Sequence, residues 1–224
     1  MDWESSSWAR TPAPAIASAY SPLEERINVL SHGTGFVLSL LAFVLLVMSA
    51  LAMDSVLYLV SFPVFGTGLI VLFGASTLYH GTADPLVRSR LRVLDHASIY
   101  ILIAGTYTPF TLVTLNGPAG WTLFAVTWGF ALTGIVLKLF FTGRFRKTST
   151  AMYVAMGWLV VFAIDPLVAN LPAGGLAWLA AGGIAYTLGA VLYSIDRVPF
   201  NHAIFHLFVL TGATCHFVAV YFYV

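Results

Sequence analysis

The sequence predicts an all-α membrane protein, a bundle of seven helices that cross the bilayer. Three observations carry this. The chain of 224 residues is 59% hydrophobic and only 8% charged, with a mean hydropathy of +0.90, outside the range of a soluble globular domain. Apolar windows long enough to span a membrane recur seven times. The basic residues fall on alternate connections between those windows.

A helix needs ~20 apolar residues to cross the hydrocarbon core. Windows of that length fall at about 29 to 51, 57 to 80, 94 to 115, 121 to 142, 150 to 169, 176 to 194 and 202 to 223. Ahead of them, residues 1–21 are rich in Ser and Pro and read as a flexible cytoplasmic tail, leaving 22–224 as the seven-helix domain. This amino-terminal stretch lacks the basic start and early apolar core of a secretory signal, so the first apolar segment is expected to stay as a span. Asn116-Gly117-Pro118-Ala119-Gly120, and the stretch from Asp165-Pro166 to Gly175, carry the breakers expected between spans.

The charges set an orientation, because Lys and Arg near span ends concentrate on the cytoplasmic side. With the amino terminus inside, the inner segments carry Arg10 and Arg26, then Arg88, Arg90 and Arg92, then Arg144, Arg146 and Lys147, then Arg197. The outer loops offer only Asp54 and Asp165 as charges. Lys138 lies one turn before the inner end of the fourth span, and its stem is expected to snorkel to the interface. The carboxyl terminus is then outside. These features point to a multi-pass membrane protein. A net charge of +1 gives no reason to expect a nucleic-acid partner. Cys215, the one cysteine, excludes an internal disulfide and reads as a packing residue.

Against this apolar background the ionisable residues stand out. His202 and His206 are four residues apart at the start of the last span, so they share one helix face. His80 ends the second span and Asp95 begins the third, which puts all four at the cytoplasmic leaflet. Ser76 lies one turn deeper than His80 on the same face. Each histidine alone has a plainer explanation, solvation by headgroups near a span end, and His32 is read that way. His96 faces roughly 100° away from Asp95 and is read as structural or interfacial. His216 lies about 15 Å beyond His206 along the axis, and is kept as a packing partner that can also line a cavity. Three imidazoles with a carboxylate and a hydroxyl are harder to explain separately, because polar groups in membrane helices are expensive. His80, His202 and His206 are therefore read as metal ligands. Zinc is favoured, since three neutral imidazoles leave a fourth tetrahedral position for water. Asp95 would hold that water as a base, and Ser76 would donate to a developing oxyanion.

The motifs also resemble a known family. They are Glu24-Glu25-Arg26-Ile27-Asn28 followed by Ser31-His32-Gly33, Ser76-Thr77-Leu78-Tyr79-His80, Leu94-Asp95-His96 with Ile103-Ala104-Gly105-Thr106-Tyr107-Thr108-Pro109-Phe110, and Asn201-His202-Ala203-Ile204-Phe205-His206 through His216-Phe217. Together they resemble the bacterial hemolysin III proteins, within the progestin and adipoQ receptor family that includes the adiponectin receptors. The resemblance implies seven helices, an inside amino terminus, and a zinc ion near the cytoplasmic leaflet held at His80, His202 and His206. It further implies contact of Asp95 with the metal through water, with Ser76 close by. The wider group resembles alkaline ceramidases, which hydrolyse a lipid amide. The hemolysin name implies lysis, yet no amphipathic pore-forming segment is visible.

Two functions follow. In the first, the protein is a zinc-dependent hydrolase of a lipid amide or ester, with a membrane lipid or other acyl-chain substrate arriving sideways from the bilayer past Tyr79, Tyr107 and Phe205. In the second, zinc only clamps helices in a non-enzymatic regulator or sensor of membrane state, or a lytic factor. A retinal receptor would need a lysine in the last span, which has none. A transporter would need a polar path through the midplane. Small residues at Gly66, Gly68, Gly105, Gly129, Gly134, Gly182 and Gly183 are expected to let helices approach closely, and Pro63 and Pro109 to bend their helices.

Overall fold

A computed structural model describes residues 20–142 and 146–224. Most of the expected amino-terminal tail therefore lies outside the described residues. Among the described residues the chain is helical, with seven helical stretches long and apolar enough to cross a membrane.

The first three helices start at side-chain caps, α1 and α3 well before the positions hydropathy indicates. Helix α1 (Pro22–Leu51) is capped by Ser21, whose hydroxyl accepts from the Glu24 amide at 3.2 Å, with Pro22 in the first turn and Glu24 and Glu25 at the positive end of the dipole. Helix α2 (Val56–Gly81) is capped by Ser55 and runs unbroken past Pro63. Helix α3 (Pro85–Pro109) is capped by Asp84, whose carboxylate accepts from the Val87 amide at 2.8 Å. The third span therefore begins nine residues before the expected position 94, and Arg88, Arg90 and Arg92 lie on a helix instead of in a loop. Past Pro109 this helix widens to a π-helical turn over Phe110–Leu115.

Helix α4 (Pro118–Phe141) is the fourth span. The fifth is composite: α5 (Arg146–Gly157), a 3₁₀ stretch over Leu159–Ala163, and α6 (Ile164–Asn170). Tyr107 satisfies this break, since its hydroxyl accepts from the Val160 amide at 2.9 Å and donates to the Gly157 carbonyl at 2.8 Å. Helices α7 (Ala173–Tyr193) and α8 (Asn201–Tyr223) complete the bundle.

Chain neighbours pack in sequence, α1 on α2, α2 on α3, α3 on α4 and α7 on α8, while α1 also packs on α8. The third span is the most enclosed and the fifth the least. Alternation of direction brings the starts of α1, α3, α5 and α8 and the ends of α2, α4 and α7 to one end of the bundle. Glycine serves close approach at only some expected positions. A Cβ on Gly182 would lie 2.2 Å from the His216 ring, and one on Gly134 2.3 Å from Tyr100, whereas one on Gly129 would meet nothing within 4 Å. Gly129 and Gly183, whose nearest neighbour would be 4.0 Å away, are thus not forced by packing.

Candidate metal centre

The polar side chains converge at the bundle end just described. His80 comes from the last turn of α2, and His202 and His206 from the first turns of α8. All three are buried, and one ring nitrogen from each lies within 4.8 Å of the others. The Nε2 atoms of His80 and His202 are 3.0 Å apart. Ring centroids are separated by 4.9 Å for His80 and His202, 4.9 Å for His80 and His206, and 4.5 Å for His202 and His206. Nitrogens bound tetrahedrally at ~2.05 Å from an ion sit about 3.3 Å from each other, so this triad can close on a divalent cation with small side-chain adjustments.

The other ring nitrogen of His80 explains its orientation. Its Nδ1 lies 2.6 Å from Glu25 Oε2. A carboxylate only accepts, so Nδ1 carries the proton and Nε2 presents its lone pair toward His202. Arg88 pairs with the second oxygen of Glu25, donates to the Thr82 carbonyl at 3.1 Å, and lies over the Tyr79 ring. The Asn28 amide is 3.4 Å from the same Nδ1. The chain Arg88–Glu25–His80 thus joins α3, α1 and α2. In the sequence Arg88 served only as an inner charge and Glu25 and Asn28 only as part of a family motif, and none of the three was placed at the metal site. A signal existed: Glu25, Asn28 and His32 are spaced i, i+3, i+7, a polar stripe on one face of an apolar helix.

His32 corrects its expectation. It is not solvated by headgroups; it is 3% exposed and stacks on His206 with centroids 3.5 Å apart and planes 9° from parallel. Phe73 meets the same ring at near right angles, with centroids 5.1 Å apart. Packing of α1 against α8 carries the ring inward, and a span-end position alone does not reveal that. Lys138 is a second correction. Its stem does not reach outward to the interface; the side chain is 4% exposed and Nζ donates to Ser149 Oγ at 2.6 Å.

A cavity of about 390 Å³ opens beside the triad, bordered by Ser76, Asp95, His202 and His206 among others. This is within the size range of small-molecule sites. His80 does not border it and packs against both His202 and His206. The Ser76 hydroxyl is buried with no hydrogen-bond partner. Asp95 is buried, with Oδ2 3.4 Å from His96 Nδ1, which also donates to the Arg92 carbonyl at 2.8 Å. Tyr79, Tyr107 and Phe205 all border the cavity, which reaches His216. His216 rests on Gly182 with Nε2 3.2 Å from the Leu179 carbonyl, serving both as packing partner and as cavity wall. Cys215 is buried and packs within the bundle.

Seven apolar spans enclosing a buried histidine triad and an adjoining chamber define a polytopic membrane protein with a candidate metal centre inside the bundle. The chain belongs to the haemolysin-III related family, whose model matches residues 20–217. It is 47% identical over 201 residues to hemolysin-3 of Bacillus cereus, covering 90% of this chain and 92% of that one. A hemolysin-3 homolog of Bacillus subtilis is 44% identical over 200 residues, with 89% and 94% covered. The human monocyte to macrophage differentiation factor is 30% identical over 168 residues, 71% of this chain and 68% of that one, which extends the kinship to the wider receptor superfamily.

Proposed function

We propose that the protein is a zinc-dependent hydrolase of a lipid amide or ester, seated in a bacterial inner membrane with its metal centre toward the cytoplasm. The observation that carries this is the chamber beside the triad. Three imidazoles that only clamped helices would have no use for an open, mostly apolar cavity bordered by a buried carboxylate and an unpartnered hydroxyl. The orientation is supported by the basic residues at the bundle end that carries the triad.

His80, His202 and His206 would hold the ion, and Glu25 would keep the His80 ring in the ligating tautomer. When bound, a divalent ion polarises a carbonyl and lowers the pKa of water toward ~7. Asp95, buried at the chamber wall, takes the proton as water adds to the carbonyl and returns it to the leaving amine or alcohol. Ser76 donates a hydrogen bond to the carbonyl oxygen as charge develops there, which gives its orphaned hydroxyl a partner. Apolar walls running to His216 accept the acyl chain and exclude bulk water.

Metal analysis of the purified chain beside His80→Ala and His202→Ala tests the ligand set, with about one zinc per chain expected in the wild type and loss in both variants. Turnover of lipid amides and esters by Asp95→Asn tests the chemistry. Retained zinc with a rate reduced by about 10² or more supports the base assignment. Wild-type protein that holds zinc and cleaves no lipid amide or ester leaves the clamp, in a regulator or lytic factor, as the function.

A further inference from the structure

Toward the bundle end the cavity passes a second group of polar side chains that hydrolysis does not use. Arg92 on α3 and Lys138 on α4 both border it, with Ser149 at the start of α5. Lys138 is buried, bonded through Nζ to the neutral Ser149 hydroxyl at 2.6 Å, with the Tyr153 ring 5.8 Å away. Arg92 Nε is buried with no hydrogen-bond partner. Among the described residues, the ion pairs join Glu25 to His80 and Arg88 and Asp95 to His96, so neither Arg92 nor Lys138 has a carboxylate within pairing distance. Among the described residues that border the cavity, Asp95 is the one carboxylate, against these two cations.

An enclosed ammonium in a membrane bundle is costly unless an anion compensates it, and a hydroxyl dipole does not balance a full charge. The missing partner is negative, and its level is set by the helices. Arg92 precedes Asp95 by three residues on α3, which places it about 4.5 Å nearer the bundle end than the proposed base. The cavity then continues from the histidines the other way to His216. An oxyanion beside Arg92 and Lys138, a carbonyl at the histidines and an acyl chain toward His216 make up one amphiphile lying end to end. A guanidinium and an ammonium together match the oxygens of a phosphate better than any uncharged headgroup.

We propose that Arg92, Lys138 and Ser149 form an oxyanion subsite that receives the phosphate of a phosphate-bearing acyl lipid, the substrate class of the adjoining metal centre. The inference rests on the cavity being the lipid chamber of the proposed hydrolase, and its test reads binding instead of turnover. Full-length protein in a neutral detergent is titrated with a monoacylglycerol phosphate and with the uncharged monoacylglycerol of the same chain length, inorganic phosphate serving as competitor. The phosphate-bearing lipid is expected to bind at least about tenfold more tightly. That preference falls about tenfold in Lys138→Gln and in Arg92→Gln, and returns in Lys138→Arg. His80 does not border the chamber, so His80→Ala keeps the preference even where metal is lost, which separates failure of the metal reading from failure of the subsite. Equal affinity for the two lipids in the wild type, or a preference unchanged in both charge variants, would overturn the assignment. So would a Lys138→Gln protein that loses both lipids alike, which marks a packing role. Inorganic phosphate that displaces the lipid at equal concentration would identify a free anion as the occupant and overturn the headgroup assignment.

Discussion

Glu25 offers the sharpest check on the proposed metal centre, because it would act on the site without touching an ion. Its Oε2 is 2.6 Å from Nδ1 of a His80 side chain that is wholly buried, while its own side chain is 19% exposed. Loss of a partner that fixes a ligating histidine lowers metal affinity by roughly 10- to 100-fold, about 1.4 to 3 kcal/mol. Glu25→Gln keeps an oxygen that can accept the Nδ1 proton but removes the charge, so its loss is expected near tenfold. Glu25→Ala leaves a buried ring N–H without its acceptor, which costs about 1–3 kcal/mol. It should approach the upper end unless Asn28, 3.4 Å away, turns its amide oxygen toward the ring. Arg88→Gln removes the outer, partly exposed pair with Glu25 and the contacts to Thr82 and Tyr79, leaves the Glu25–His80 contact in place, and should cost less than about threefold in metal affinity. The assay is competition for zinc between apo-protein in detergent and a chromophoric chelator, with the melting temperature of each metal-free variant as a control for folding. Wild-type affinity within about twofold in both Glu25 variants, at unchanged stability, would refute the account of His80.

Two further perturbations address the bundle. Tyr107→Phe strips the break in the fifth span of the hydroxyl that accepts from Val160 and donates to Gly157. It should destabilise by about 1–3 kcal/mol, read as a lower melting temperature and faster amide exchange confined to residues near the break. Gly182→Ala places a methyl 2.2 Å from the His216 ring and should cost about 1–3 kcal/mol through overpacking. Gly129→Ala, with open space around its Cβ, should leave stability unchanged or raise it by up to about 1 kcal/mol through helix propensity. Equal melting temperatures for the two glycine variants would contradict the packing described for α7 and α8.

Much of the candidate site was legible because it is local. His202 and His206 share a face by spacing alone, and Ser76 and His80 do likewise one turn apart. Alternating span direction then brings the end of α2 and the starts of α3 and α8 to the same level. Glu25 and Arg88 were not legible in the same way, since a charged residue at the polar start of a helix reads as a dipole partner or an interfacial charge. Its contact with a histidine 55 residues away depends on how α1 packs on α2. The third span was misplaced at its start for a related reason. A hydropathy window averages over the basic first turns of α3 and discards them, whereas the Asp84 cap and Pro85 begin the helix there.

The sequence by itself determined the number of spans, the end of the bundle where the ionisable residues gather, and the identity of the three clustered histidines. Those properties follow from chain-local quantities, the apolar run length a bilayer requires and the 3.6-residue period of a helix. Tertiary structure alone decided that His32 stacks inside on His206, that Lys138 turns inward, that Glu25 orients His80, and that a chamber lies beside the triad. Each of these depends on the distance and rotation between helices, which side-chain packing sets across the bundle and which no run of residues along one helix encodes.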